Sequence, residues 1–362
     1  MQGPREKQNS KKKKIVGIPR GLIFYHYPEL FKTFFEQLGA KVVLSKPSTQ
    51  KLLRNGLKVS SDEECFSCKV FYGHIIDLKN QVDFLFLPQF HGNHKFLVKC
   101  PKFIGLPDVI RAIFTDLPEI IGGYHSRTKK HHHTPHLFWL FFKAGWKITK
   151  NPFKILMAIA KARKKHQQFK QKQIWSREKL EAWKNKAFSG DGPEKVKVAL
   201  LGHSYVINDP VLSFNTLKKL REMDVEVVSS EQIPEEIINE QMKKLHSTLY
   251  FEEERKIVGT ALYFLESGTI DGLLQLIPFP CGPSAISSEI ILHHAKKRPE
   301  FPVIQLVVDD NTGEAGFLTR LEAFVMTMKR KKFLKFKKGL STEQLTLLGS
   351  NKISEKSAVK AP

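Results

Sequence analysis

The sequence predicts an α/β protein with two similar Rossmann-like parallel-sheet domains that are joined by a helical arm. A short apolar run, a helix-like stretch and a second apolar run occur in that order near residue 15 and again near residue 196. In each copy the paired apolar runs begin roughly 27 to 29 residues apart, which suits a strand–helix–strand unit. We therefore expect a duplicated architecture.

The first copy opens with the strand-like run 15–19, followed by apolar residues at helical spacing from Tyr27 to Leu38. Gly39 ends this predicted helix, because glycine readily adopts the left-handed conformation found at helix C-termini. The run 42–44 is the predicted second strand. After a further helical stretch, the run 84–88 is the third.

The second copy has predicted strands at 196–201, 225–228 and 272–278, with a helix over 210–223 between the first two. A last strand at 303–308 precedes a helix-like segment, 316–328. The complete division along the chain is a basic disordered N-terminal tail (1–14), a first α/β domain (15–124), a basic helical arm (125–190), a second α/β domain (191–328) and a basic flexible C-terminal tail (329–362).

Positive charge is concentrated outside the two predicted domains. The 362 residues have a net charge of +23, and the arm alone, with 17 basic and two acidic residues, contributes +15. The N-terminal and C-terminal tails contribute +5 and +8, so the two domains together are slightly negative. A nucleic-acid-binding protein usually carries its positive charge on a folded surface that contacts phosphate. We therefore do not expect nucleic acid to be the main partner.

The apolar runs are too short to cross a membrane. The most apolar stretch, from Leu137 to Trp146, is interrupted by Lys143, and a membrane span needs about 18 or more apolar residues. The lysine-rich N-terminus is followed by a short strand-like run rather than by the apolar core of a signal peptide. We expect a cytoplasmic protein with reduced thiols.

The four cysteines are the strongest candidates for chemistry. Cys100 and Cys281 follow the third predicted strand of their copies, where open α/β sheets place their ligand sites. Cys65 begins a predicted helix that runs to Leu78, with Asp62 as its N-cap, and Cys68 shares the same helix face. Thiolates from separate loops suit an iron–sulfur or a zinc site, whereas buried thiols without a ligand are the alternative.

Weaker candidates lie elsewhere in the chain. The tract 131–133, with His125 and His136, either binds metal or is a solvated basic loop, and we favour the loop. His74 is either a ligand or a core histidine. The segment 309–316 either caps the last helix or lines a site between the domains, and we favour the cap. The phosphate-binding patterns GxxxxGK[ST] and GxGxxG do not occur in the sequence.

Several sequence elements, in order over about 15–328, resemble one family. They are Ile18-Pro19-Arg20-Gly21-Leu22, Asp62 to Lys69 with Gly73-His74, Cys100-Pro101-Lys102-Phe103 with Leu106-Pro107-Asp108, Gly202-His203-Ser204-Tyr205 with Asp209-Pro210, Cys281-Gly282-Pro283, and Thr312 to Gly316 with Arg320 to Phe324. They resemble the acyl-CoA dehydratase activase-related proteins. These are similar to subunits of 2-hydroxyacyl-CoA dehydratases and benzoyl-CoA reductases.

The resemblance implies an oxygen-sensitive 4Fe–4S cluster held by Cys65, Cys100 and Cys281. It also implies that a separate ATP-dependent activase supplies a low-potential electron for the radical dehydration or reduction of a CoA thioester. The chain itself would then be either a lyase of the 2-hydroxyacyl-CoA dehydratase type or an electron relay. It would work with a second dehydratase-like subunit or as a homodimer.

The chain departs from the family pattern beside the first cysteine. Ser67 and Cys68 stand where we expect a Cys-x-Pro-x-Lys pattern, so Cys68 is either a fourth cluster ligand or a bystander. A structural zinc site that includes Cys68 is a further alternative. From a different class, the alternative is a scaffold or binding protein that docks RNA, anionic lipid or an acidic partner through its basic arm and tails.

Overall fold

The computed structural model of the chain describes residues 13–89, 97–123, 135–185, 194–245 and 248–338. The strands are β1 Ile15–Ile18, β2 Lys41–Leu44, β3 Phe84–Phe86, β4 Glu119–Ile121, β5 Val196–Leu201, β6 Val225–Ser229, β7 Gly272–Pro278 and β8 Val303–Val308. The helices are α1 Pro28–Gln37, α2 Gln50–Leu57, α3 Phe66–Leu78, α4 Pro101–Ile104, α5 Leu106–Ile113, α6 Pro135–Ile148, α7 Pro152–Gln173, α8 Arg177–Lys184, α9 Ser204–Asn208, α10 Thr216–Glu222, α11 Glu235–Met242, α12 Glu252–Ser267, α13 Gly282–Ala295 and α14 Glu314–Lys338. Short 3₁₀ turns span Leu22–His26 and Ser230–Gln232.

The predicted fold class is confirmed. One sheet has the strand order β2-β1-β3-β4 and the other has the order β6-β5-β7-β8, and every strand pair is parallel. The two sheets therefore share one topology, as the repeated sequence pattern predicts. Every residue of β5 and β7 is buried, as is typical of central strands covered by helices on both faces.

The helix predicted over 210–223 is wrong in its extent. The chain forms the short α9, then a turn, and only then α10. Phe214 and Asn215 have φ values of 48° and 55°, in the left-handed region, which interrupts a helix. The Asp209 carboxylate accepts hydrogen bonds from the amides of Val211 and Leu212 at 2.9 and 3.1 Å, which stabilises the turn instead.

The helical arm packs against both domains. Ile155, Ala158, Ile159 and Ala162 form the buried face of α7, which lies along α1 of the first domain. The last arm helix, α8, belongs to the second domain, where Leu180 lies in the core cluster of that domain.

The last helix, α14, continues to Lys338, ten residues into the segment predicted as a flexible tail. Lys332 explains part of this extension, because its Nζ lies 3.0 Å from Asp271 and 3.3 Å from Glu194. Residues 339–362 and 1–12 lie outside the described residues. Within the described ranges, no helix combines the length and the apolar character that crossing a membrane requires.

The two domains share a hydrophobic core. Val16 and Ile18 of β1 belong to the same buried cluster as Val198 of β5 and Leu306 of β8. Polar contacts cross the same interface. The Tyr25 hydroxyl donates to Asp209 Oδ2 at 3.2 Å, and Ser48 donates to the same carboxylate.

Candidate metal centre between the domains

Three of the four cysteines occupy the same structural position. Cys65, Cys100 and Cys281 are the N-caps of α3, α4 and α13, each with extended ψ. Cys65 and Cys100 belong to the first domain, whereas Cys281 directly follows β7 of the second. Asp62, the N-cap predicted from the sequence, lies three residues before the actual cap, Cys65. Each thiol therefore faces the free N–H groups of a helix start.

The segments that carry these cysteines meet at the domain interface. The amide of Phe66 donates to the carbonyl of Phe279 at 2.9 Å, which joins the start of α3 to the segment before Cys281. The amide of Val98 donates to the carbonyl of Tyr250 at 2.8 Å, which joins the segment before Cys100 to the second domain. Cys100 and Cys281 line one small cavity together with His203, Tyr205 and Glu254.

The four thiols have very different acidities. The thiol of Cys68 donates to the sulfur of Cys65 and, with the nearby amides of Ser67 and Cys68, lowers the pKa of Cys65 to about 6 against the effect of burial. Burial raises the pKa of Cys281 to about 12 and raises that of Cys100. The bond to Cys65, together with burial, raises the pKa of Cys68, whose side chain is 3% exposed. In the metal-free protein at neutral pH, Cys65 is therefore a thiolate, whereas the other three cysteines are protonated.

A buried histidine–glutamate pair lies in the same cavity. His203 Nε2 and Glu254 Oε1 are 2.7 Å apart, and their residues are 4% and 2% exposed. Although burial works in the opposite direction, the negative charge of Glu254 raises the pKa of His203. The imidazole stacks on the ring of Tyr205, with 4.9 Å between the ring centres.

A buried ion-pair cluster supports the Cys100 segment. Lys99 Nζ lies 2.6 Å from Glu253 Oε1 and 3.2 Å from Glu252 Oε2. Although burial opposes a charged amine, the two carboxylates raise the pKa of Lys99 above its usual value. Since these glutamates begin α12, the cluster fixes the residue before Cys100 to the second domain.

A larger cleft of about 420 Å³ adjoins the cysteine cavity and shares His26, Lys99 and Glu252 with it. The arm contributes Arg163 and Lys170 to the lining of this cleft. The remaining walls come from both domains. The cleft is therefore a route by which a ligand of mixed polarity could reach the cysteines.

A single metal ion requires its protein ligands to lie close together. Three thiolates around one zinc ion, with Zn–S bonds of about 2.3 Å in tetrahedral geometry, lie about 3.8 Å from one another. Among the described residues, the sets of three ligand atoms within 4.8 Å of one another are His203, Glu254 and Cys281, and His26, Glu231 and Glu253. The three cysteines form no such compact set. The three sulfurs are therefore not arranged to bind a single zinc ion together.

Other sequence candidates lie away from this centre. His74 is fully buried, and its ring nitrogens contact the hydroxyls of Ser45 and Ser48 at 2.9 and 3.0 Å, so it is a core histidine. The segment 309–316 forms the turn between β8 and α14 and contacts the first domain. Asp309 accepts a hydrogen bond from Thr312 just before α14, and Asp310 pairs with Lys69 of the first domain at 2.8 Å. His125 and 131–133 lie outside the described residues, as does the side chain of His136.

Sequence reasoning missed the chemical part of the cavity. His203 was noted only within the Gly202-His203-Ser204-Tyr205 turn, and Glu254 was not singled out. A run of three glutamates at 252–254 looks like the solvated first turn of a helix, which favours acidic residues. The signal that could have identified Glu254 is Phe251, the apolar residue directly before the run. An apolar residue there indicates a buried helix start, and buried charges require partners.

Comparisons with known proteins give one informative match. Residues 15–233 match the family described as the CoA enzyme activase uncharacterised domain (DUF2229). No curated protein matches the sequence. A solved structure titled "crystal structure of SsGBP and GDP complex" is similar at 11% identity over 89% of this chain and 90% of that chain, but its TM-score of 0.20 supports no argument. Because the family match spans more than half of the chain, the protein belongs to the CoA enzyme activase domain family, which confirms the predicted acyl-CoA dehydratase activase-related relationship.

Proposed function

We propose that the chain is the cluster-carrying component of an activator-dependent enzyme system that acts on CoA thioesters, with a 4Fe–4S cluster held by Cys65, Cys100 and Cys281. The observation that carries this proposal is the meeting of helix-capping cysteines from both domains at their interface. Cys100 and Cys281 line one cavity, and the amide of Phe66, directly after Cys65, donates to the carbonyl of Phe279, two residues before Cys281. Membership of a CoA enzyme activase-related family supports it. When bound, such a cluster supplies a low-potential electron and, with three thiolates, leaves one iron open to an oxygen ligand.

The helix starts prepare the three sulfurs for a metal group. The start of each helix places free N–H groups and the positive end of the helix dipole beside the cysteine that caps it. Such N–H donors stabilise thiolate charge and tune the potential of a bound cluster. Cys100 and Cys281 each release a proton when a metal binds, because burial raises the pKa of both thiols.

Cys68 is a positioning residue in this proposal rather than a fourth ligand. Its thiol donates to the sulfur of Cys65, and its side chain is 3% exposed among the core residues of the first domain. That hydrogen bond orients the Cys65 sulfur and leaves three ligands for the cluster. A cluster held by these three cysteines would keep one iron without a protein thiolate.

The cleft beside the cavity is the proposed route for the thioester. Arg163, Lys170 and Lys256 in its lining attract the phosphates of CoA. Phe103, Tyr205 and Ile23 line the inner cavity and exclude water from it. The chain then either reduces the thioester itself or passes the electron to a second dehydratase-like subunit.

The electron comes from an ATP-dependent activase, which must dock on the surface. The exposed face of α7, with Lys161, Lys164 and Lys165, is the proposed contact, because a basic surface attracts an acidic partner. Nucleic acid and membrane are not partners in this proposal.

Anaerobic purification tests the cluster. The wild-type protein should be brown and contain about four iron and four sulfide ions per chain. Cys65→Ser, Cys100→Ser and Cys281→Ser should each lose most of this iron, whereas the matched variant Cys68→Ser should keep it. A wild-type protein that stays colourless and iron-free after reconstitution would overturn the proposal and favour the scaffold alternative. Iron loss in Cys68→Ser equal to that of the other three would make Cys68 a ligand.

A further inference from the structure

Cys281 lies in a second, more compact group of metal-ligating atoms. A ring nitrogen of His203, a carboxylate oxygen of Glu254 and the sulfur of Cys281 all lie within 4.8 Å of one another. All three residues belong to the second domain. His203 precedes α9, Glu254 lies in the first turn of α12, and Cys281 caps α13. The group therefore forms within one domain, unlike the set of three cysteines.

Two atoms of this group are buried without a hydrogen-bond partner. His203 Nδ1 and Glu254 Oε2 make no hydrogen bond, although the two residues are 4% and 2% exposed. Buried polar atoms are nearly always paired, because leaving one unpaired costs the full penalty of removing it from water. Two such atoms in one pair of contacting side chains indicate a ligand position.

The donor set determines which ligand fits. One imidazole nitrogen, one carboxylate oxygen and one thiolate are the donor types of zinc sites with three protein ligands, which keep a fourth position open. His203, Glu254 and Cys281 all line the cavity that Tyr205 and Phe103 also line. A hard cation such as Mg²⁺ prefers an all-oxygen shell, so the thiolate disfavours it.

The other compact group is a poor cation site by comparison. His26, Glu231 and Glu253 also lie within 4.8 Å of one another. However, the ammonium group of Lys99 already lies 2.6 Å from the Glu253 carboxylate. The positive charge of that amine repels an incoming metal ion.

We propose that Cys281, His203 and Glu254 bind one divalent transition-metal ion of the zinc type, with an open coordination position toward the cavity. This inference goes beyond the cluster assignment and does not depend on it. Since Cys281 belongs to both sites, a mononuclear ion and a cluster compete for the same sulfur. The metal bound at Cys281 then decides whether the cavity offers a redox centre or a Lewis acid.

Cobalt titration of the full-length, chelator-stripped protein tests this site. Co²⁺ alone should bind with a stoichiometry of one and give thiolate-to-cobalt charge-transfer absorption with the visible bands of four-coordinate cobalt. His203→Gln and Glu254→Gln should weaken binding by roughly tenfold to a hundredfold or more, as loss of a coordinating or orienting group does. Cys281→Ser should abolish the charge-transfer band. The matched controls Cys65→Ser and Cys100→Ser should keep it.

The controls separate this inference from the cluster proposal. If Cys65→Ser loses the cobalt band, or if both His203→Gln and Glu254→Gln keep wild-type affinity, the mononuclear site is overturned. Iron content after anaerobic reconstitution, which should fall in Cys65→Ser but persist in His203→Gln, reports on the cluster alone.

A measurement on the wild type avoids variants that fail to fold. The assay is run at alkaline pH, because burial raises the pKa of both Cys100 and Cys281. Zn²⁺ added before iodoacetamide should slow the alkylation of Cys281 and leave that of Cys100 unchanged, as read by peptide mass spectrometry. Equal protection of both cysteines, or protection of neither, would refute the assignment.

Discussion

Lys99 should be one of the most important single side chains for the stability of the domain interface. Its side chain is 3% exposed, and its amine contacts Glu253 at 2.6 Å and Glu252 at 3.2 Å. Lys99→Met keeps the apolar stem and the approximate length but removes the cation that contacts the buried carboxylate of Glu253 and the half-buried carboxylate of Glu252. The segment that carries Cys100 then loses its main polar attachment to the second domain.

The destabilisation expected from Lys99→Met can be worked out from the distances between the amine and the two carboxylates. At an effective dielectric constant of about 20, attractions over 2.6 and 3.2 Å amount to about 6 and 5 kcal/mol. The cost of removing the charges from water offsets most of this gain, yet removing one partner of a buried pair still costs about 3–5 kcal/mol. Lys99→Met should lower the unfolding temperature by on the order of 10 °C.

Urea unfolding followed by tryptophan fluorescence measures this loss, and Lys102→Met is the matched control. Lys102 lies on the other side of Cys100 and pairs with Glu64 at 2.7 Å, but its side chain is 49% exposed. Such a pair contributes about 1 kcal/mol or less. A Lys99→Met variant that stays within about 1 kcal/mol of the wild type, or one no less stable than Lys102→Met, would refute the reasoning.

Three further predictions follow from local geometry. Cys65 should be alkylated fastest of the four cysteines, and its alkylation rate, measured by peptide mass spectrometry, should have a midpoint near pH 6. Cys68→Ala should raise that midpoint because it removes the hydrogen bond to the Cys65 sulfur. An unchanged midpoint would contradict the assigned cause. Gly56→Ala should lower the free energy of unfolding by about 3 kcal/mol or more, because a Cβ there would lie 1.9 Å from the Lys69 carbonyl oxygen. The control Gly316→Ala, with no atom within 4 Å of its Cβ, should not destabilise the protein in thermal unfolding. Burial raises the pKa of Asp209 in the folded state, so the folded chain binds this proton more tightly than the unfolded chain does. The protein should therefore lose stability as the pH rises above about 4. The unfolding temperature of Asp209→Asn should lack this decline, and parallel pH profiles of the variant and the wild type would refute the role of Asp209.

Local sequence patterns predicted most of the fold. Apolar runs of strand length and a glycine after α1 were sufficient for every strand given above except β4, because buried parallel strands are almost uniformly apolar. Strand β4 was missed because it has only three residues, of which Glu119 is exposed. The interrupted helix at 210–223 could not be predicted in the same way. Its turn depends on the carboxylate of Asp209, which also accepts hydrogen bonds from Tyr25 and Ser48 of the other domain. Such long-range contacts leave no periodic signal.

The candidate site, too, could be predicted only where its residues stand out locally in the sequence. The set of Cys65, Cys100 and Cys281 came from the family resemblance, whereas their positions at predicted loops and helix starts made them candidates together with Cys68. The pairing of His203 with Glu254 could not be predicted, since 51 residues separate them and each looks ordinary in its own segment. The extent of α14 was missed because a lysine-rich segment resembles a solvated tail. Lys332 finds its acidic partners only in the folded domain.

The hydrogen bond between the Phe66 amide and the Phe279 carbonyl has a consequence for how the protein matures. The start of α3 finds this acceptor in the other half of the chain, 213 residues later. On a ribosome, Cys65 and Cys100 are synthesised long before Cys281. Any group that needs all three sulfurs must therefore be inserted after translation has passed β7 and the two halves have met. Insertion of such a group is therefore a late step, which follows the synthesis of both halves of the chain.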